Sequence, residues 1–425
     1  MSTSQLDRYH RKRGRGSLFA LSCQIIPWSK TTAARKALIV IVFSTFVAVR
    51  IVAWNLPVPS LVIYGDAYMY YVPAGIAYLG GALPDSINPE HPPLGKYIIG
   101  LFAVYFHSPN SSSVLSGFLS AVVAFLIAKK LTSDTHWSLA AVWLLAFDFI
   151  GISVCIHPML DAFMLLFAFI GLYLLLIARN RFHYGLAGLM FGLAVASKWT
   201  ALFFAIPALA FVLANRRYLD GFAMFMVALG GYMLSYIHLI VAKGFSAFVS
   251  LQIWMAQFML NTHGAGTSNL LLSPLSVLIF HSTTFAAVSG YDPFVHPEAF
   301  RLFGIFYISF AEAINPLIVL ALFPVLCAQA RKCLLNRDRA RLLILFVLSS
   351  LVAGEIAFPP SIALWYYAPV NALISIFASD LLSDVQKKSA GKKRVTYLYL
   401  VLVATWFLYA NAIAFLRVAH YQRLV

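Results

Sequence analysis

Long apolar runs separated by short polar joints fill most of the 425-residue sequence. Runs near the ~20 residues that cross a bilayer as a helix fall at roughly 37–54, 113–131, 137–156, 158–178, 219–242, 303–328, 340–358, 361–382 and 394–416. The run 184–214 is too long for one span and is interrupted at Ser197-Lys198-Trp199, so it reads as two short spans meeting at a polar joint. The pattern predicts an all-α, polytopic membrane protein of about eleven spans.

Residues 94–107 are apolar but only about fourteen long. The distribution of Lys and Arg places them, because cytoplasmic loops collect positive charge. With a cytoplasmic N-terminus and no crossing at 94–107, the basic stretches at 8–36, 129–130, 179–181, 216–217, 331–341 and 387–394 all share the cytoplasmic side. Only Arg50, Lys96, Lys198, Lys243, Arg301, Arg417 and Arg423 fall opposite. A crossing at 94–107 would flip every basic loop behind it. The segment therefore reads as an external juxtamembrane helix, and the C-terminus as external.

This organisation divides the chain into four parts. Residues 1–36 form a basic cytoplasmic segment, and 37–242 an N-terminal catalytic membrane module that includes the external loop 55–112. Residues 243–302 form a second external loop, and 303–425 the C-terminal spans. The second loop opens with an amphipathic pattern at 246–262, where Phe248, Leu251, Met255, Phe258 and Met259 recur at helical spacing. Composition agrees: 61% of residues are hydrophobic and 11% charged, with a mean hydropathy of +0.82, whereas soluble domains are about a quarter charged. A cleavable leader is not expected, since the first apolar run is long enough to stay in the membrane. The net charge of +16 sits in the cytoplasmic loops, which argues against nucleic acid. The four cysteines lack paired spacing and the acidic residues form no D-x-D pair, so neither a metal site nor a cofactor is expected.

The polar residues outside the basic loops converge on the external face. The stretch 61–106 alone carries Asp66, Asp85, Glu90, His91 and Lys96. A charge at bilayer depth costs ~2.5–3.5 kcal/mol or more, so such a stretch lies at an interface or lines a cavity. Asp66, just ahead of Tyr70-Tyr71, reads as a helix cap or as a general base able to take a hydroxyl proton. Glu90-His91-Pro92-Pro93-Leu94-Gly95-Lys96 starts a helix at its prolines. It is either a rigid connector or an anion site at a helix N-terminus, with Lys96 free to snorkel to headgroups. Asp161 lies one turn into a span after His157 and must be paired or wet. Lys198, between two spans at the outer boundary, either snorkels or stabilises a phosphate. Trp199 adjoins it. Trp365-Tyr366-Tyr367 reads as an interfacial belt or a substrate contact. Asp148, Glu312 and Glu355 are intramembrane carboxylates without a motif.

Together these motifs resemble the protein O-mannosyltransferases, multi-span enzymes that take a sugar from a polyprenyl-phosphate donor. The likeness covers roughly 38–215 and, more weakly, 340–380. It rests on an acid before paired tyrosines, the E-H-P-P-L-G-K block, Met159-Leu160-Asp161, Ser197-Lys198-Trp199 and the aromatic-Tyr-x-x-Pro of Tyr366. The resemblance implies an all-helical membrane glycosyltransferase (GT-C-like) that transfers a hexose such as mannose from polyprenyl or dolichyl phosphate to Ser/Thr of a translocated protein. Asp66 is then the base. Tyr70, Tyr71, Glu90, His91, Lys96, His157, Asp161, Lys198, Trp199 and Tyr366 are then substrate contacts. Two departures matter. The family has an Asp-Glu pair where this chain has Asp66-Ala67, and an Arg upstream of its Met-Leu-Asp where His157 stands as a candidate substitute. The second loop is too short for the lectin-like insert of the eukaryotic enzymes, which points to the short prokaryotic type in a cell membrane, with the endoplasmic reticulum membrane as the place in a eukaryote. Two alternatives stay open: the same fold with a lipid or glycan acceptor, and a transporter using Asp148, Asp161, Lys198 and Glu312.

Reporter tags test the topology. Tags at Ser112 and at the C-terminus should read external, and tags at the N-terminus and near Gly391 cytoplasmic. A cytoplasmic reading at Ser112 would mean that 94–107 crosses.

Overall fold

The computed structural model describes residues 32–55, 66–146, 149–263, 331, 333, 338–357 and 368–388, and every described element is helical. Asp148, Glu312 and Tyr366 lie outside these residues, as do the expected spans at 303–328 and 394–416 and most of the second external loop. The chain divides into residues 1–43 and residues 44–425. Helix α1 (Thr32–Asn55) is followed by a π-helical turn at Asp66–Tyr71, α2 (Val72–Leu79) and α3 (Leu94–Phe106). Then come α4 (Pro109–Thr132), α5 (Thr135–Ala146), α6 (Phe149–Ile156), α7 (Leu160–Leu176) and α8 (Arg181–Ser197). A short 3₁₀ turn at Trp199–Ala201 leads into α9 (Leu202–Ala214), α10 (Tyr218–Leu234), α11 (Ile237–Lys243) and α12 (Phe245–His263). Helices α13 (Arg339–Ala357) and α14 (Ala368–Lys388) complete the described fold.

Helix α4 is the central post, touching α3, α5, α6, α7 and α14. Its first half is rich in serine, which water-free packing tolerates only if each hydroxyl finds an acceptor. Ser116 and Ser120 each donate to the carbonyl one turn back, at 2.9 and 2.8 Å. Small residues on the same face allow close approach: a Cβ on Gly117 would stand 2.4 Å from Cys155 Sγ. Helices α8 and α10 use the same device. Gly188 and Gly192 face the backbone of Met224 and Ala228, where an added Cβ would fall 2.1 and 2.2 Å from a carbonyl oxygen. This is the small-residue crossing that substitutes for hydrophobic driving force between membrane helices.

Charge closes the ends of the bundle. Arg341 on α13 reaches Asp380 on α14 with two bonds of 2.6 and 2.8 Å, and donates to Leu131 O at the end of α4. Asp384, one turn beyond Asp380, lies 3.5 Å away. Arg50, expected on the external side, is buried and donates to Leu145 O and Ala146 O, the last carbonyls of α5. A cation suits that helix end, where orphan carbonyls gather.

The helix breaks largely follow the sequence pattern. The 184–214 run does divide at Lys198, whose extended backbone (φ −157°, ψ 136°) ends α8. Leu94–Phe106 forms the helix started by the Pro-Pro pair. Its length, about 20 Å at 1.5 Å per residue, is short of the ~30 Å hydrocarbon core. The amphipathic helix appears at Phe245–His263 with Phe248, Leu251 and Met255 buried. Two expectations change. The run 219–242 is not one straight span: α10 and α11 meet at a 67° bend. The last described span runs to Lys388 rather than ending near 382. Among the described residues, α4 alone is long and apolar enough to cross a bilayer by itself, and the bent α10–α11 pair passes the same test together.

The close crossing of α8 and α10 gives a direct test. Gly192→Ala should lower the melting temperature and the yield of the purified protein, because the intruding carbon meets backbone rather than a movable side chain. Gly230→Ala, on the same helix pair but with open space around it, should be neutral or slightly stabilising, since Ala exceeds Gly in helix propensity by about 1 kcal/mol. Equal effects from the two variants would remove the packing explanation.

Candidate functional site

Three of the sequence motifs meet around one apolar cluster formed by Ala67, Tyr71, Ile99, Val154, Met159, Leu160, Ala162, Phe163 and Ala368. Through it the π-helical turn that begins at Asp66 packs against the α6–α7 joint and against α3. Gly95, inside the Glu90–Lys96 block, lies so close to Leu160 that a Cβ there would be 2.7 Å from its Cδ2. Residues far apart in sequence, at 66–71, 91–99 and 157–163, thus share one corner of the fold.

Asp66 is half-buried at the first position of the π-helical turn. Its neighbour Ala67 is fully buried in the cluster, so the position where the resembling family carries Glu is spent on packing. Tyr71 is buried and meets the His91 ring edge-on at 5.7 Å. Tyr70 points the other way and is exposed.

The α6–α7 joint carries a hydrogen-bonded relay that the sequence reading missed. Asn110 donates from Nδ2 to Ile156 O at 2.9 Å and to the Tyr68 hydroxyl at 2.8 Å. Because the carbonyl can only accept, the amide orientation is fixed. The Tyr68 hydroxyl accepts from Asn110 and lies 3.2 Å from His157 Nδ1, within hydrogen-bond reach. His157 is buried, which pulls its pKa down to about 4. The ring therefore stands neutral at neutral pH. It offers no positive charge in place of the family's Arg.

Asp161 finds its partner in Lys198. The ammonium lies 2.8 and 2.9 Å from the two carboxylate oxygens, and both side chains are almost completely buried, at 1% and 2% exposure. Lys198 therefore does not snorkel to headgroups. Trp199 next to it is held as well, its indole N–H donating to the Tyr232 hydroxyl at 2.9 Å. Tyr232 in turn donates to Gln252 on α12 at 2.5 Å, and Trp199 packs on the cluster of Tyr236, Leu239, Phe248, Leu251 and Met255 at the α10–α12 corner.

Lys96 is the largest departure from expectation. It is completely buried rather than extended to headgroups, and it turns back on its own loop, donating to Asn88 O and, at 2.7 Å, to His91 O. Burial pulls its pKa down to about 7 while the nearby Glu90 charge pulls it up. Glu90 is half-buried and accepts a hydrogen bond from Asn88 Nδ2. Tyr68, Asn88, Asn110 and Tyr232 were invisible as site residues because their importance is a matter of partners 20 to 89 positions away, or of a loop's own turn. Among the described residues, no group of three or more His, Cys, Asp or Glu side chains is placed to hold a metal.

Comparison with known proteins bears on this geometry. The family model for dolichyl-phosphate-mannose-protein mannosyltransferase matches residues 90–241, a span that includes the Glu90 block, the Asp161–Lys198 pair and Trp199 but not Asp66. Among curated proteins no sequence matches significantly. The archaeal oligosaccharyltransferase AglB from Archaeoglobus fulgidus, solved with an inhibitory peptide and a dolichol-phosphate, superposes with a TM-score of 0.53 at 15% identity. That match covers 90% of this chain and 56% of AglB. The Archaeoglobus fulgidus oligosaccharyltransferase tethered to an acceptor peptide gives 0.55 at 16% identity, covering 91% and 55%. ArnT from Cupriavidus metallidurans bound to undecaprenyl phosphate gives 0.49 at 15%, covering 88% and 72%. The chain spans just over half the length of the oligosaccharyltransferases it matches. At these identities the oligosaccharyltransferase matches show the fold alone, an all-helical polytopic membrane architecture.

The buried pair predicts a distinctive stability pattern. Lys198→Met leaves Asp161 without its ammonium in an apolar surround and should cost ~3–5 kcal/mol, with Asp161→Leu alone leaving the lysine in the same position. The double variant Asp161→Leu/Lys198→Met should recover most of that loss in a thermal melt. Additive losses would show that the two side chains do not act as a pair.

Proposed function

We propose that the protein is a membrane glycosyltransferase that takes a sugar from a polyprenyl-phosphate-type lipid. The sugar is a hexose such as mannose, and it passes to a Ser/Thr hydroxyl of a translocated protein on the external face of a cell membrane. The observation that carries this reading is the convergence of the Asp66 turn, the Glu90–Lys96 helix start and the Asp161–Lys198 pair on one corner. They meet in a chain whose residues 90–241 match a mannosyltransferase family model. We place the reaction in the N-terminal module at 37–242, with eleven spans, a cytoplasmic N-terminus and an external C-terminus.

The chemistry follows from the groups present. The acceptor oxygen attacks C1 of the sugar from the face opposite the phosphate, the C1–O bond to phosphate breaks, and the configuration inverts. Asp66 takes the hydroxyl proton as the new bond forms. The departing phosphate gains a second negative charge. Lys198, already dehydrated and fixed in direction by Asp161, meets that charge without first shedding water, which is the condition under which such a cation is most effective. Tyr71 and His91 form an aromatic wall along the turn that carries Asp66.

One observation supports a lipid or glycan acceptor instead. Ala67 fills the place of the family's second acid and is sealed in the apolar cluster, so the acceptor side of the loop is built differently here.

Asp66→Asn tests the reading. It preserves volume and most hydrogen bonding, so folding and donor binding should persist. Loss of a general base lowers rates by ~10²–10⁴-fold, so transfer from labelled dolichyl-phosphate-mannose into acceptor should nearly vanish. Wild-type transfer by the Asn variant would move the base elsewhere, to Glu90 or Asp161. The destination of the label in membranes, protein or lipid, decides between the two acceptor classes.

A further inference from the structure

We infer that Glu90 binds hydroxyl groups of the transferred sugar, and that Asn88 and Lys96 are positioning residues that aim its carboxylate. The inference rests on the glycosyltransferase reading above and adds to it a sugar subsite in the loop between α2 and α3.

Residues 80–93 form no regular helix beyond turns, yet their backbone is held from several sides by side chains. The Tyr78 hydroxyl donates to Pro84 O at 3.3 Å and to Ile87 O at 2.5 Å. Lys96 donates to Asn88 O and to His91 O and lies 5.9 Å from the centre of the Tyr78 ring. Outside, Asp85 pairs with Lys243 of α11 at 2.6 Å, and Leu83 packs on the α10–α12 cluster. Burying a lysine completely is costly unless its donors are used. Here they are used on the loop's own carbonyls, so the ammonium serves as an internal brace.

The brace ends at a carboxylate. Asn88 adopts the left-handed conformation (φ 49°), which Asn tolerates better than most residues. In that conformation its carbonyl faces Lys96 and its amide donates to Glu90 Oε1. The amide orientation is unambiguous, since a carboxylate only accepts. Glu90 Oε2 has no hydrogen-bond partner among the described residues and is not sealed from solvent. The result is a half-buried carboxylate with one oxygen fixed and the other available.

An anionic group would be repelled by such a carboxylate, and an apolar lipid chain would leave it unsatisfied. A hydroxyl donates to it. Of the two substrates, a Ser/Thr acceptor brings one hydroxyl, which Asp66 engages, whereas a hexose brings several. The sugar is therefore the group that suits Glu90.

The test compares two probes on the full-length protein in detergent: dolichyl-phosphate-mannose and bare dolichyl phosphate. Wild type should bind the mannosylated lipid more tightly. Glu90→Gln should weaken binding of the mannosylated lipid by ~10- to 100-fold, the usual worth of a hydrogen bond to a charged group, and leave bare dolichyl phosphate unchanged. Asn88→Gly should reproduce part of that loss without unfolding, because glycine takes the left-handed backbone freely. The double variant should be no weaker than Glu90→Gln alone, because Asn88 acts through Glu90. A wild-type preference for mannose that survives Glu90→Gln overturns the inference and leaves the glycosyltransferase reading standing. Additive losses in the double variant overturn the positioning role. Wild type that binds neither lipid removes that reading, and this one with it.

Discussion

The ion pair between Asp161 and Lys198 is the constraint around which the site is arranged. It joins the first turn of α7 to the break between α8 and α9, two points 37 residues apart, inside a region with almost no exposed surface. Neither charge could stay there alone, because taking either from water costs several kcal/mol. The pair therefore specifies that α7 and α8 approach at this level and that α8 stops at Lys198. Leu160 and Met159, adjacent to Asp161, then form the floor on which the Asp66 turn and the start of α3 rest. A single charge-pairing requirement thus fixes where three separate motifs meet.

Much of this was legible from composition and periodicity. The positions of the apolar runs, the helix start after Pro92-Pro93, the break at Lys198 and the amphipathic helix after Lys243 follow from local rules that a chain cannot evade in a membrane. The requirement that Asp161 be paired was legible too. Its partner was not, since pairing is decided by how α7 and α8 cross, and that crossing includes the close contact of Gly171 with Phe191, which hydropathy does not register. The inward turn of Lys96 was hidden for a related reason. A lysine near a helix start ordinarily extends to water, and only the left-handed turn at Asn88 brings carbonyls to it from behind. The bend between α10 and α11 was concealed because Ser235-Tyr236 interrupts the apolar run too briefly to show as a joint.

The two faces of the loop chemistry are held by different means. On the α6–α7 side, apolar packing dominates and the polar contacts form a short chain from Asn110 to His157. On the α10–α12 side, hydroxyls, an indole and an amide link Trp199, Tyr232 and Gln252 within an aromatic cluster. Lys198 and Trp199 are consecutive residues that belong one to each side. The joint between α8 and α9 is therefore the seam at which a rigid apolar wall meets a polar, aromatic one.

The neutrality of His157 carries a consequence for where the protein can work. Histidine usually changes charge close to neutral pH, which would make a joint built on one responsive to acidification. Here burial keeps the ring uncharged down to about pH 4. The imidazole therefore keeps one charge state across the range of pH over which histidines ordinarily switch. The chain of polar contacts from Asn110 to His157 thus ends in a ring whose charge ordinary acidification does not change.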